Sequence, residues 1–166
     1  MTKPSPRPAV YLERLIPASP AEVYDAWLSP EVLRLWLAPG SIEISNAEVD
    51  KRVGGHYRIW HTAEGSSAGG FECEITEMIS NQLIVFRWGF VGPARTNGPV
   101  YDSLLKIHLE EASEGVTRLI LVHERLEELA SALPQVAEQV KNGWESVLTK
   151  LAALFKHHQE APKCVR

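Results

Sequence analysis

Cysteine is scarce: Cys73 and Cys164 are the two in 166 residues. Their contexts match neither a zinc site nor a redox pair, and two residues cannot staple a small secreted scaffold, so two free thiols are expected. An excess of positive charge is missing too, since 17 Lys and Arg face 21 Asp and Glu for a net charge of -4. Nucleic acid calls for a basic face or stripe, so that partner class is not expected. No apolar stretch approaches the roughly 20 residues of a membrane-spanning helix, and no membrane insertion is expected. Met1–Pro8 is polar and proline-rich without the apolar centre of a signal peptide; it reads as a flexible N-terminal arm of a cytoplasmic protein. There is no nucleophile elbow around Ser103 or another serine. Gly54-Gly55 precedes a strand pattern rather than a helix, which suits a turn or bulge and not a phosphate loop.

The apolar share of 45% and charged share of 23% are those of an ordinary globular chain. At this length one well-buried core is expected, in a single domain over residues 9–157 with a flexible tail at 158–166. Residues 9–16 read as a first strand ended by Pro17. Ser19-Pro20 is a helix start signal, and Ser29-Pro30 repeats it, so two short helices follow, the second stopped by Pro39-Gly40. Strand patterns then fall near 42–49, 55–62, 70–79, 82–90, 100–110 and 116–125, joined by turns such as Ser80-Asn81 and Glu114-Gly115. Connections this short make an antiparallel meander. In the last long segment Val136, Val140, Trp144, Val147, Leu148, Leu151, Leu154 and Phe155 form one apolar stripe at helical spacing. Gly143 inside that helix suggests close packing or a local bend. The fold class is therefore α+β: a curved antiparallel sheet of about seven strands, two short helices after the first strand, and one long C-terminal helix across the sheet.

The run Ser19-Pro20-Ala21-Glu22-Val23-Tyr24-Asp25-Ala26-Trp27, with Pro30-Glu31 and Trp36, is followed by Asp50-Lys51-Arg52-Val53-Gly54-Gly55, Gly70, Leu83 to Trp88, Gly115 to Leu119, His123-Glu124 and Gly143-Trp144. In this order and spacing the chain resembles the activator of heat-shock protein 90 ATPase homologue family (AHSA-type) over roughly residues 9–156. The resemblance implies the helix-grip fold of the START-like, or SRPBCC, superfamily, with a cavity between sheet and C-terminal helix. Superfamily members bind lipids, sterols, polyketides or plant metabolites, and some are cyclases or hydrolases. In a chain of this length the additional chaperone-binding domain of the eukaryotic protein is not expected. Where family members usually carry threonine then glycine near the second strand-to-helix junction, Glu124 is here followed by Arg125-Leu126, and the rim is expected to differ.

Alternation along the strands selects the side chains that face such a cavity. They are Tyr57, Ile59 and His61; Phe71 and Cys73; Phe86 and Trp88; Tyr101, Ser103 and Leu105; and Leu119, Leu121 and His123, with Trp36, Trp144 and Leu148 from the helices. Mainly apolar with a few hydroxyls and imidazoles, the set suits a small apolar or aromatic ligand. His123 and His61, with Tyr101, are the candidates for proton chemistry, though a structural histidine is the commoner case and alternation turns Glu72 and Glu124 to the other face. His56 and His61 also point to opposite faces, and His157-His158 with Cys164 belong to a helix end and tail, so neither metal nor cofactor is expected. Trp60 falls on the outer face and marks an interface if exposed. Three readings stay open: a cytoplasmic small-molecule binder, which leads; an enzyme of cyclase or hydrolase type using an inward histidine; and a co-chaperone-like interaction module. A homodimer is compatible with all three.

Overall fold

The computed structural model describes residues 9–93 and 99–160, for 157–160 the backbone alone. Seven strands, β1 (Val10–Ile16), β2 (Glu43–Val49), β3 (His56–Ala63), β4 (Ser66–Ile79), β5 (Leu83–Val91), β6 (Val100–Ser113) and β7 (Val116–Glu124), are joined by helices α1 (Pro20–Leu28), α2 (Pro30–Trp36), α3 (Glu127–Ala132) and α4 (Pro134–Glu160). The sheet is antiparallel with order β1-β7-β6-β5-β4-β3-β2. β2 to β7 thus run as a meander, and β1 closes on the last strand. The expected architecture is present, with β4 and β6 each longer than the pattern suggested.

Both expected helix starts are present, the first with its cap formed. Ser19 accepts a hydrogen bond from the Glu22 amide while the Glu22 carboxylate accepts one from the Ser19 amide, a reciprocal capping box at the start of α1. Pro30 starts α2 without a side-chain cap. The sheet bends where its registers shift, near Ser45, His61, Thr76 and Ala112. Gly54 turns the chain with φ of 86°, as expected of the Gly54-Gly55 pair, and Arg52 bonds Asp50 beside it at 2.7 Å.

One face of the sheet and the inner side of α4 share the core. Tyr57, Ile59, Ile75, Phe86, Trp88, Leu105, Leu119 and Leu121 are fully buried against Leu148 and Leu151 of α4, with Val140, Trp144 and Val147 nearly so. α1 and α2 are tied to this core through their aromatic residues: Tyr57 donates to the Trp27 carbonyl at 2.6 Å, and Trp36 Nε1 donates to the Ala26 carbonyl at 3.3 Å. Lys150 of α4 donates to the carbonyls of Ala38 (2.5 Å) and Gly40 (2.7 Å), pinning the turn after α2 against the long helix.

Four details differ from the sequence expectations. α3 was not expected; its segment Glu-Glu-Leu-Ala-Ser-Ala has no side-chain N-cap, so no start signal marks it. Val136, expected on the core stripe of α4, is 41% exposed and lies at the lining of a cavity rather than in the solid core. The backbone of α4 stays helical to Glu160, into the segment read as a tail, while residues 1–8 and 161–166 lie outside the described residues. Finally, Gly143 is not forced by crowding: a Cβ there would meet only Pro39 Cβ, at 3.9 Å.

Gly55 is the opposite case, since a Cβ would collide with the Asp50 carbonyl oxygen. Gly143→Ala should therefore stabilise the protein by up to about 1 kcal/mol through helix propensity. Gly55→Ala should destabilise it by about 2 kcal/mol or more, because backbone must move. Urea midpoints of the two variants check this pair of opposite signs.

Candidate functional site

At one end of α4 the sheet and the helix diverge and leave a cavity of about 350 Å³. Its aromatic wall is Phe71, Trp88, Phe90, Tyr101 and Trp144; Leu37 and Pro39 close one side, and Leu129 of α3, Leu133 between the helices, and Val136 and Val140 of α4 form the other. Polar side chains at the lining are His61, Tyr101 and Gln139, and no Lys, Arg, Asp or Glu is among the described lining residues. Gly143 contributes open wall where a side chain would otherwise project.

Of the residues expected at a cavity, His61, Phe71, Trp88, Tyr101 and Trp144 come together here. Trp36, Tyr57, Ile59, Cys73, Phe86, Ser103, Leu105, Leu119, Leu121, His123 and Leu148 do not line it; they fill the core beneath or beside it, each at 5% exposure or less. Their inward direction was right, but they are packed in the solid core, which leaves no space beside them. Phe90 was missed although it continues the row Ile84, Phe86, Trp88 by two residues. Leu129 and Leu133 were missed with α3.

His123 lies behind this wall in a closed hydrogen-bond chain. Trp144 Nε1 donates to His123 Nδ1 at 2.9 Å, Ser103 Oγ lies 2.7 Å from His123 Nε2, and Ser103 donates to the Trp88 carbonyl at 2.8 Å. An indole N–H only donates and a carbonyl only accepts. Nδ1 is therefore the unprotonated nitrogen, and Nε2–H donates to Ser103, whose own proton goes to Trp88. Both ring nitrogens are engaged, the imidazole is neutral, and burial lowers its pKa to about 3. This geometry leaves His123 no lone pair for a ligand's proton. His61 sits at the cavity floor, 3.4 Å through Nε2 from the Leu37 carbonyl and edge-on to Phe71.

Glu72 and Glu124 lie on the outer face, as alternation required, in ion pairs with Arg58 (2.5 Å) and Lys106 (3.7 Å). His56 is exposed on that face, whereas His61 is buried. Trp60, read as an interface marker if exposed, is half-buried. Among the described residues no group of three or more His, Cys, Asp or Glu is placed to hold a metal ion. The side chains of His157 and His158 and residue Cys164 lie outside the described residues, while Cys73 is buried and forms no disulfide among the described residues. No helix among the described residues is long and apolar enough to cross a membrane.

The model of the family described as activator of Hsp90 ATPase homolog 1-like protein matches residues 17–156. The chain belongs to this family. Solved structures agree with the assignment. A protein from Chromobacterium violaceum is 30% identical with a TM-score of 0.71, over 89% of this chain and 96% of that one. An AHSA1 protein from Silicibacter pomeroyi is 22% identical with a TM-score of 0.73, over 90% of this chain and 99% of that one. DynU16, a protein in the dynemicin biosynthetic locus, shares the fold at 20% identity and a TM-score of 0.65, over 91% of this chain and 48% of that one. No curated protein matches the chain. Arg125, just after β7, has a left-handed backbone with φ of 61°, a strained conformation for a residue that carries a side chain.

Burying His123 as a neutral ring makes stability depend on pH. Its folded pKa lies near 3, below the ordinary 6.5, so between these values the unfolded chain binds the extra proton. The contribution is complete above about pH 6.5 and is lost as pH falls toward 3. Stability of the wild type minus that of His123→Phe, from urea unfolding at pH 6 and pH 4.5, should decline toward about 1.4 kcal/mol per pH unit. A difference that does not change with pH contradicts the neutral assignment.

Proposed function

We propose that this chain is a binding protein for one small, uncharged, largely apolar or aromatic molecule, held in the cavity at the α3–α4 end of the sheet. The observation that carries this reading is the wall of Phe71, Trp88, Phe90, Tyr101 and Trp144 around a space that holds no ionised side chain among its described lining residues. A carboxylate or ammonium buried there would lose its hydration without gaining a charged partner, which costs several kcal/mol. An aromatic ring finds faces and edges to pack on. Since a dry cavity of ~150 Å³ accepts benzene, one of about 350 Å³ has room for roughly two or three fused rings. His61, Tyr101 and Gln139 supply the few polar contacts that orient a ligand. Wider surface grooves, such as one lined by Val32, Leu35, Leu154 and Phe155, are edged by Glu22, Asp25 and Lys51, and the same ligand would remain largely wetted in them.

The enzyme reading is weaker because His123, the more buried of its two imidazoles, already uses both nitrogens. DynU16 of the dynemicin biosynthetic locus shares the fold alone, and a shared fold does not choose a ligand.

The neutral fluorophore N-phenyl-1-naphthylamine should bind and raise the melting temperature in proportion to the logarithm of its concentration, by about 2.7 kcal/mol of stability at a hundred times its Kd. Gly143→Leu, which directs a side chain into open wall without displacing backbone, should abolish binding in a protein that still unfolds cooperatively. Binding retained in a folded Gly143→Leu variant would place the ligand elsewhere. No stabilisation of the wild type by this probe or by neutral tricyclic aromatics would overturn the proposal.

A further inference from the structure

Three of the five aromatic walls converge on one residue that does not itself line the cavity. Trp144 gives its N–H to His123 Nδ1 at 2.9 Å. Phe90 stacks flat on the imidazole, with centroids 5.6 Å apart and planes 7° from parallel. The Trp88 carbonyl anchors Ser103, which lies 2.7 Å from His123 Nε2. A hydrogen bond to one ring edge fixes an indole's rotation, and a stacked neighbour fixes a phenyl plane, so the imidazole limits the rotamers of both walls. Without the bond, the Trp144 N–H would be a buried donor with no partner, and the indole would turn to find one.

We infer that His123 is a positioning residue: through Trp144 and Phe90 it sets the shape of the cavity, and with it which flat ligands fit. The inference rests on the cavity being the binding site. It assigns the Ser103–His123 pair a role unlike that of a nucleophile and its base. The hydroxyl proton points at the Trp88 carbonyl, and the imidazole donates to the hydroxyl, which is the reverse of the direction that activates a serine. The pair works as a brace between β5, β6, β7 and α4, with each polar atom satisfied.

The test compares His123→Phe, which keeps a stacking ring but removes the acceptor, with His123→Asn, which keeps an acceptor near Nδ1. Two readouts are used: the Kd of N-phenyl-1-naphthylamine, and the ¹⁵N–¹H signal of the Trp144 indole, assigned by its loss in Trp144→Phe. His123→Phe should weaken the probe about tenfold and shift the indole signal toward that of an unbonded N–H. His123→Asn should restore both to within about threefold and most of the shift. An unchanged Kd in folded His123→Phe overturns the inference, as does a weakening in His123→Asn equal to that in His123→Phe despite a bonded indole signal. If His123→Phe does not fold, Trp144→Phe in the presence of native His123 takes its place, and an unchanged Kd there overturns the inference equally. If the wild type binds no probe, the binding proposal fails. The indole signal then still decides the matter of position: a free Trp144 N–H in the wild type, or one unmoved by His123→Phe, contradicts the brace.

Discussion

A seven-stranded sheet exposes one wide apolar face, and in this protein a single helix has to keep most of it from water. α4 runs from Pro134 to Glu160 across that face, and its inner residues Val140, Trp144, Val147, Leu148 and Leu151 are buried on it. The burial is the main source of stability, since a fully buried large apolar side chain is worth ~1.5–3 kcal/mol. It also sets the limits of the site. Where α4 lies close, Tyr57, Phe86, Leu105 and Leu121 are packed solid. Where helix and sheet part, α3 and the turn after α2 wall off a space without filling it. The cavity is thus what remains where the helix and the curved sheet part.

Polar groups inside this interface have to be paired, and the way they are paired shapes what the site can do. Lys150 places its ammonium on the Ala38 and Gly40 carbonyls, and Ser146 accepts from the Gly40 amide at 3.0 Å, which holds Leu37 and Pro39 at the cavity wall. His123 is held neutral between Trp144 and Ser103. Trp27 and Trp88 keep indole nitrogens buried without a hydrogen-bonding atom as partner. Trp27 packs edge-on to Trp36 at 4.7 Å and Trp88 edge-on to Phe86 at 5.4 Å, so ring faces form part of the surroundings of both. The chemistry of the interior is aromatic and uncharged.

Much of this was readable in the sequence because it follows from period and punctuation. Strand alternation placed Ile59, His61, Cys73, Trp88, Leu105 and His123 inward, and all are buried. The Ser19-Pro20 start marked α1, and the stripe from Val140 to Leu151 marked the face of α4. The boundary between solid core and cavity was not readable, for it depends on where α4 leaves the sheet, which no local pattern encodes. The partner of His123 was hidden for the same reason: Trp144 comes from a helix whose rotation is set by tertiary packing. Ser103 was closer to legible. β6 pairs Leu105 with His123, so Ser103 is the diagonal neighbour on the same face, and register alone brings the two together.

A crystal structure of the protein soaked with N-phenyl-1-naphthylamine tests the central claim most directly, since it locates the ligand rather than inferring it. The account predicts electron density for the naphthalene between Phe71, Phe90 and Trp144, with Trp144 still bonded to His123. Density in the groove beside Leu35, Leu154 and Phe155, or a cavity closed by its own side chains with the probe bound elsewhere, would contradict it.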